Sequence, residues 1–166
     1  MTLLPKLSDA KDLFYDQDND TFWVCDSGNN RILRLDTDLK VTGCYTGFTG
    51  STEISVGEDG RSTFLNPNGI YVKKSIFDDK LYVYIADTDN SRAVKCTVES
   101  GTEMTLVQEY TKPDTKLYDS ETFNPSKILA DKAENIYVVC KSVNTGSVQF
   151  NKDGEFQAST VLTVLK

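Results

Sequence analysis

An internal repeat of about 57 residues is the feature that most limits what this chain can fold into. Three copies of one pattern follow each other, and their equivalent positions Leu13, Ile70 and Ile128 lie 57 and 58 residues apart. A period held this steadily indicates an array of one supersecondary unit that buries its apolar face against its neighbours. The chain is therefore predicted to fold by stacking three similar units.

Each copy has the pattern of short strands. Its middle is an apolar run of β-branched and aromatic residues of strand length, found at 22–25, 81–86 and 136–140. Polar turns separate this run from weaker strands before and after it, so about four strands form each unit. Repeated antiparallel meanders of this kind stack radially into a β-propeller.

The predicted fold class is therefore all-β, a single β-propeller segment over residues 1–166 made of four-stranded antiparallel blades. Long polar connections at about 46–62 and 111–122 are expected to lead from one blade to the next. The three blades are expected at about 7–50, 64–112 and 123–166.

A polar turn follows the central strand of the first two copies, with the sequences Asp26-Ser27-Gly28-Asn29-Asn30-Arg31 and Asp87-Thr88-Asp89-Asn90-Ser91-Arg92. An aspartate that ends a strand can accept bonds from nearby backbone amides, and Gly and Asn tolerate a left-handed backbone. The arginine is predicted to lie over the turn and to bond the aspartate. The residues assigned to this structural turn motif are Asp26, Asn30, Arg31, Asp87, Asn90 and Arg92.

These turns, together with the segment Pro67-Asn68-Gly69-Ile70-Tyr71-Val72, resemble the NHL repeat. The resemblance covers about 7–39, 64–97 and 123–154. The third copy departs from the pattern, because Lys141 and Gly146 stand in place of the Asp and the Arg. The resemblance implies a propeller, and six-bladed rings are common among proteins that are similar to the NHL family.

Three blades are fewer than the four to eight with which propellers typically close. Three blades left open would also expose two apolar blade faces, a larger patch than monomers usually carry. Two alternatives follow. The chain self-associates as a homodimer that completes a six-bladed ring with a twofold axis, or the missing blades belong to a longer chain.

Composition excludes several classes of function. The chain has no histidine, which excludes His-based triads, His-ligated zinc and His general bases. A net charge of −7 argues against a nucleic-acid partner, since such affinity rests on clustered Lys and Arg. Nucleotide-binding and Gly-x-Ser-x-Gly motifs are absent from the sequence. We therefore predict no catalytic residue, although enzymatic activity is not excluded.

Several carboxylate clusters in the sequence are alternatives for metal or catalytic sites. The run 16–20 has the Asp-x-Asp-x-Asp spacing of calcium loops, but Thr21 and Ser27 stand where an EF-hand needs Gly and Glu. No cofactor and no metal site is expected, with weak divalent-ion binding by this turn as the alternative. The Asp78-Asp79 pair and the pair Asp87 and Asp89 could serve a glycosidase, but their place in repeated turns favours a structural role.

Cysteines and hydropathy give weaker indications. Four cysteines without a Cys-x-x-Cys pair favour buried free thiols, with disulfides as the alternative if the protein is extracellular. The longest apolar run, 81–86, is far shorter than a bilayer span, and the N-terminus lacks the pattern of a signal peptide. We expect a soluble chain without membrane insertion, and its localisation stays open.

The predicted function is a non-catalytic binding or scaffolding module whose loops meet a protein, peptide or glycan partner. Candidate partner contacts in or beside the connections are Tyr45, Phe48, Tyr110 and Tyr118, with packing between blades as the alternative. A second possibility is a metal-dependent small-molecule hydrolase. Gluconolactonase-like propellers resemble the NHL propellers and hold a divalent metal through carboxylate and Asn side chains from several blades, a set that this sequence does not identify.

Overall fold

The structure is a computed structural model that describes residues 6–50, 61–141 and 146–160. Part of the third repeat's turn and the predicted end of the third blade lie outside these residues. The strands are β1 (Ala10–Asp16), β2 (Thr21–Asp26), β3 (Arg31–Leu35), β4 (Val41–Tyr45), β5 (Gly47–Thr49), β6 (Arg61–Thr63), β7 (Pro67–Lys74), β8 (Leu81–Asp87), β9 (Arg92–Val98), β10 (Met104–Tyr110), β11 (Pro125–Ala130), β12 (Ile136–Cys140), β13 (Ser147–Phe150) and β14 (Phe156–Thr160). Short 3₁₀ helices lie at Ser27–Asn29, Thr88–Asn90 and Lys116–Tyr118.

The strands form three sheets, which confirms the predicted all-β class with four-stranded antiparallel units. The first sheet has the order β1-β2-β3-β4, and the third has the order β11-β12-β13-β14. The second has the order β6-β5-β10-β9-β8-β7, so β7 to β10 form its meander and two short strands extend its edge. These units are called blade 1 (β1–β4), blade 2 (β7–β10) and blade 3 (β11–β14).

The predicted connection after blade 1, at about 46–62, contains strand β5 and the start of β6, while its residues 51–60 lie outside the described residues. Strand β5 pairs with β6 and with β10 of the second sheet. The physical reason is the burial of Phe48, whose ring lies edge-on to Phe64 at 5.8 Å and beneath the Arg92 guanidinium at 4.8 Å. An aromatic anchor thus attaches the connection to the edge of the second sheet.

The first strand of each blade is the innermost one. Strand β7 packs against both β1 and β11, and Asp12 of β1 reaches Lys127 of β11 directly. These three strands therefore surround a common axis, as in a propeller. Strand pairing places Leu13 opposite Val24, and the same register recurs for Ile70 with Ile85 and Ile128 with Val138. The 57-residue period of the sequence thus repeats as one position in three blades.

We call the face of blade 2 that packs on blade 1 its rear face and the face that packs on blade 3 its forward face. The equivalent faces of blades 1 and 3 take the same names. The forward face of blade 1 packs Trp23 and Tyr45 against the aliphatic rear face of blade 2. The forward face of blade 2 packs Tyr84 and Tyr110 against the rear face of blade 3. Burial of apolar side chains between the facing blades therefore holds them together, and it stabilises the fold by about 25 cal/mol for each Å² of apolar surface removed from water.

The four cysteines are free thiols in this structure. Cys25 and Cys96 are fully buried, and burial raises the pKa of both thiols. Burial also raises the pKa of Cys140 to about 12. These side chains act as small apolar residues of the core, because a thiol is nucleophilic only when it is ionised.

Candidate functional site

The turn after the second strand is built around a buried aspartate in blades 1 and 2. One Asp87 oxygen accepts a hydrogen bond from the Leu65 amide at 2.8 Å. The other accepts bonds from Arg92 Nε and Asn90 Nδ2, both at 2.8 Å. The predicted bond between aspartate and arginine is thus present, and it recurs between Asp26 and Arg31 at 2.6 Å. Both carboxylates are fully buried and fully engaged by the turn.

The two asparagines of the blade 1 turn have different roles. In blade 1 it is Asn29, and not Asn30, whose side chain donates to Asp26 as Asn90 does to Asp87. Asn30 instead adopts a left-handed backbone with φ of 52°, the same value as Ser91 at the equivalent place in blade 2. Its side-chain oxygen accepts a bond from the Asn66 amide at 2.8 Å. Because the two asparagines are adjacent, the sequence does not show which of them bonds Asp26 and which adopts the left-handed backbone.

The two buried aspartates differ in pKa because their surroundings differ. Burial raises the pKa of Asp26, but hydrogen bonds from the Ser8 amide, Asn29 and Arg31 outweigh it and lower the pKa overall. For Asp87, the effect of burial is larger than that of the hydrogen bonds from the Leu65 amide, Asn90 and Arg92, so the pKa is raised overall. Asp87 lies in the middle blade, with protein on both sides, whereas Asp26 lies in blade 1, which has no preceding blade.

A hydroxyl group in each turn joins one blade to the next. Ser27 donates to the carbonyl of Pro67, and Thr88 donates to the carbonyl of Pro125 at 2.6 Å. Both hydroxyls are buried. Sequence reasoning missed this contact, although the signal was present as a hydroxyl residue directly after the turn aspartate and a proline at the start of the next blade's first strand.

A polar group of side chains lies where the innermost strands meet. Asp12 of blade 1 accepts a bond from the Ile70 amide of blade 2 at 3.0 Å and pairs with Lys127 of blade 3 at 2.7 Å. Lys141 of blade 3 donates to Asn68 of blade 2 at 2.6 Å. We call Asp12, Asn68, Lys127 and Lys141 the axial cluster, and none of them was predicted as a site residue.

β-bulges place these side chains. The register shifts at the start of all three innermost strands, between Ala10 and Asp12, between Pro67 and Gly69, and between Pro125 and Lys127. A bulge turns a side chain away from the regular alternation of a strand, and bulges are common beside functional sites. Here they bring side chains of three blades to one end of the axis, which makes the axial cluster the candidate site.

The donor set of the axial cluster does not fit a divalent metal. Its one carboxylate, Asp12, is paired with the Lys127 ammonium, and its amide oxygen, on Asn68, accepts from the Lys141 ammonium. Calcium and magnesium sites need several free oxygen ligands, and two neighbouring ammonium groups would repel the ion. Within the described residues, no group of three or more carboxylate, Cys or His side chains is arranged to hold a metal.

The predicted carboxylate alternatives lie in turns. Asp16 accepts bonds from the Asp18 amide and from Asn19, and Asp20 accepts from the Tyr15 hydroxyl at 2.7 Å, all within the hairpin turn between β1 and β2. Asp78 accepts from the Lys80 amide and the Tyr82 hydroxyl in the turn between β7 and β8. These bonds hold the turns in shape.

The four aromatic residues considered as partner contacts lie in the interior, so the alternative of packing describes them. Tyr45 stacks on Trp23 at 5.9 Å, and Tyr110 lies 5.3 Å from Phe150. Their exposure shows that none offers a surface to a partner in this chain. The exposed fractions are 0% for Tyr45, Phe48 and Tyr118 and 1% for Tyr110.

Neither a protein-family model nor a curated protein matches this sequence. Solved structures match it by fold. A hydrazine synthase from Kuenenia stuttgartiensis is similar with a TM-score of 0.60 and 13% identity over 98% of this chain and 39% of its own. A streptogramin B lyase is similar with a TM-score of 0.54 and 16% identity over 91% of this chain and 40% of its own. A protein described as a gluconolactonase is similar with a TM-score of 0.56 and 13% identity over 97% of this chain and 50% of its own.

Identities this low show a shared fold and nothing about activity. The chain spans half or less of the length of each of these three proteins. No helix in the described part of the chain combines the length and the apolar character that a membrane span requires. The chain is an all-β protein with the β-propeller fold of these neighbours.

Proposed function

We propose that this chain is a non-catalytic binding or scaffolding module of the propeller type, with NHL-like blades, that meets a protein, peptide or glycan partner through its turns and loops. The NHL-like assignment is supported by the aspartate and arginine pairs of the first two turns. A rigid framework of blades leaves the connecting turns free to carry binding residues.

The observation that carries this proposal is the composition of the axial cluster. A hydrolase of the gluconolactonase-like type would need free oxygen ligands for a divalent metal at the axis. The oxygens of Asp12 and Asn68 already accept bonds from Lys127 and Lys141. A second cation about 4 Å from an ammonium group would be repelled by about 4 kcal/mol per unit charge at an effective dielectric constant near 20.

A partner surface is supported by the tip of the turn between β7 and β8. Ile76 and Phe77 are adjacent there, with exposed fractions of 72% and 64%. Single exposed apolar residues are common, but two neighbouring large ones on a turn tip are suited to contact with a partner. The backbone below them is held by the bond from the Ser75 amide to the Lys80 carbonyl at 2.8 Å.

The choice between binding module and hydrolase is tested by metal titration. We expect the melting temperature to be the same in EDTA and in millimolar Ca²⁺, Mn²⁺ or Zn²⁺, and we expect no hydrolysis of glucono-δ-lactone with any of them. The matched variant Asp12→Asn removes the axial carboxylate. Metal-dependent lactone hydrolysis that this variant abolishes would contradict the proposal.

The binding role is tested with arrays of glycans and of synthetic peptides. A bound probe should lose affinity at least tenfold for the double variant Ile76→Ser/Phe77→Ser. The variant Leu65→Ser also removes an exposed apolar side chain and should bind the same probe as well as the unmodified chain does. Arrays without a reproducible ligand, or ligands insensitive to the double variant, would count against this surface.

A further inference from the structure

Within the described residues, no strand covers the apolar rear face of blade 1. This open face carries Leu13, Phe22, Val24 and Leu35, which together with Leu7 and Leu39 line a groove of about 330 Å³ with an almost wholly apolar surface. Leu13 is 63% exposed, whereas the residues at its place in the other blades, Ile70 and Ile128, are 4% and 5% exposed.

The difference in exposure comes from the neighbouring blade. Strand register makes Val24 equivalent to Ile85 and Val138, which are fully buried, each on a rear face covered by the preceding blade. Val24 has the same apolar character but remains partly exposed. The open face thus has the chemistry of a blade junction without the blade that would complete it.

Blade 3 carries the complementary surface. Its forward face holds Leu129, Tyr137 and Val139, and Leu129 and Val139 are 48% and 43% exposed. The register makes Tyr137 equivalent to Trp23 and Tyr84, which pack on the next blade in the two junctions present in the structure. The part of the chain that the structure describes therefore contains an exposed rear face and an exposed forward face of the same kind.

We propose that the open face of blade 1 binds the forward face of blade 3 of a second copy of this chain. Two copies related by a twofold axis would form this junction twice and close a ring of six blades. A second copy is supported by the two faces themselves, because exposed Leu13 at one end of the stack and exposed Val139 at the other lie on surfaces that pair in the two junctions present. The proposal goes beyond the binding role and does not depend on which ligand is bound.

Sedimentation velocity on the full chain and three variants tests the junction. Leu13→Asp places a charge on the open face, and Val139→Asp places one on the forward face of blade 3. Each should weaken dimerisation at least tenfold, while far-UV circular dichroism stays unchanged because both side chains are exposed. Leu65→Asp adds the same charge at an exposed site away from both faces and should leave the dimer intact.

Mixing the two charged variants identifies which faces meet. The heterodimer of Leu13→Asp and Val139→Asp keeps one unmodified junction, so the mixture should form dimers at concentrations where each variant alone is monomeric. If two blade 1 faces met instead, Val139→Asp would still form dimers, and mixing it with Leu13→Asp would not restore dimers of the Leu13→Asp variant. That result, or a monomeric unmodified chain, would overturn the proposal, while the metal and array experiments would still report on the binding role.

Discussion

At the residue scale, the buried aspartates explain why the same turn occurs twice. Asp26 and Asp87 each accept a backbone amide and two side-chain donors, so the turn and the preceding loop are fixed by one carboxylate. Sequence reasoning predicted the bond to arginine because the spacing is local and repeated. It missed the pairing of Asp12 with Lys127, since these residues are distant in the sequence and meet only after the blades stack.

The pKa of Asp26 predicts an acid-dependent loss of stability. Its folded pKa lies below the unfolded value of about 3.9, so its contribution is complete above that pH and is lost as the pH falls through the folded pKa. We expect Asp26→Asn to cost about 2–4 kcal/mol at pH 7. Urea unfolding at a series of pH values should show that the difference in the free energy of unfolding between this variant and the unmodified chain narrows below about pH 4.

Asp87→Asn provides the matched comparison. The pKa of Asp87 is raised by burial, so the folded state binds this proton more tightly than the unfolded state does. Acidification through the raised pKa therefore favours folding, and the difference between Asp87→Asn and the unmodified chain should not narrow as the pH falls. If the difference in the free energy of unfolding narrowed at low pH for both variants alike, the explanation of the two pKa shifts by their surroundings would be wrong.

The Thr88 hydroxyl, which joins blade 2 to blade 3, is expected to contribute to stability. Thr88→Val keeps the shape of the side chain but removes the bond to the Pro125 carbonyl, which would be left buried without that donor. We expect a loss of about 1–2 kcal/mol in the free energy of unfolding, measured from urea midpoints. Thr97→Val removes a hydroxyl bonded to Glu99 at the surface and should cost less than half as much.

At the scale of strands, the innermost strand of blade 2 depends on a glycine. A Cβ at Gly69 would lie 2.6 Å from the Ser126 carbonyl oxygen and 2.8 Å from the Lys127 Cα of blade 3. Both are backbone atoms, so the neighbouring strand would have to move. This close approach of two innermost strands gives a physical reason for the glycine of the segment Pro67-Asn68-Gly69-Ile70.

We therefore expect Gly69→Ala to destabilise the chain by about 1–3 kcal/mol. Gly101→Ala is the comparison, because its Cβ would approach Thr42 O at 3.0 Å, in a surface turn. Thermal unfolding of both variants checks the prediction. An effect at Gly69 no larger than that at Gly101 would argue against close packing of β7 on β11.

The prediction from sequence was most successful for strands and least successful for connections. The central strands were recognised because their apolar runs are bounded by turn residues in every copy. Strands β5 and β6 were not, because each has three residues and their pairing depends on the burial of Phe48 against Phe64. The axial cluster was missed for a related reason, since bulges at the starts of β1, β7 and β11 determine where its side chains lie.

At the scale of the whole molecule, the period of the repeat predicted stacked blades, and the described part of the chain leaves apolar side chains exposed at each end of the stack. Both junctions present bury aromatic residues of a forward face against apolar residues of a rear face. Leu13 at one end and Val139 at the other remain exposed on surfaces of the same kind. The period alone gives no information on which molecule supplies the missing blades, because a second copy and a longer chain would present the same face.

Small-angle scattering with in-line light scattering tests most directly whether two copies of the chain close one ring of blades. If two copies close the ring, the mass should be twice 18.5 kDa over a broad range of concentration. The radius of gyration should be about 20 Å, instead of about 15 Å for one compact chain of this length. A mass of 18.5 kDa at every concentration would contradict the account, because both blade faces would then remain exposed in solution.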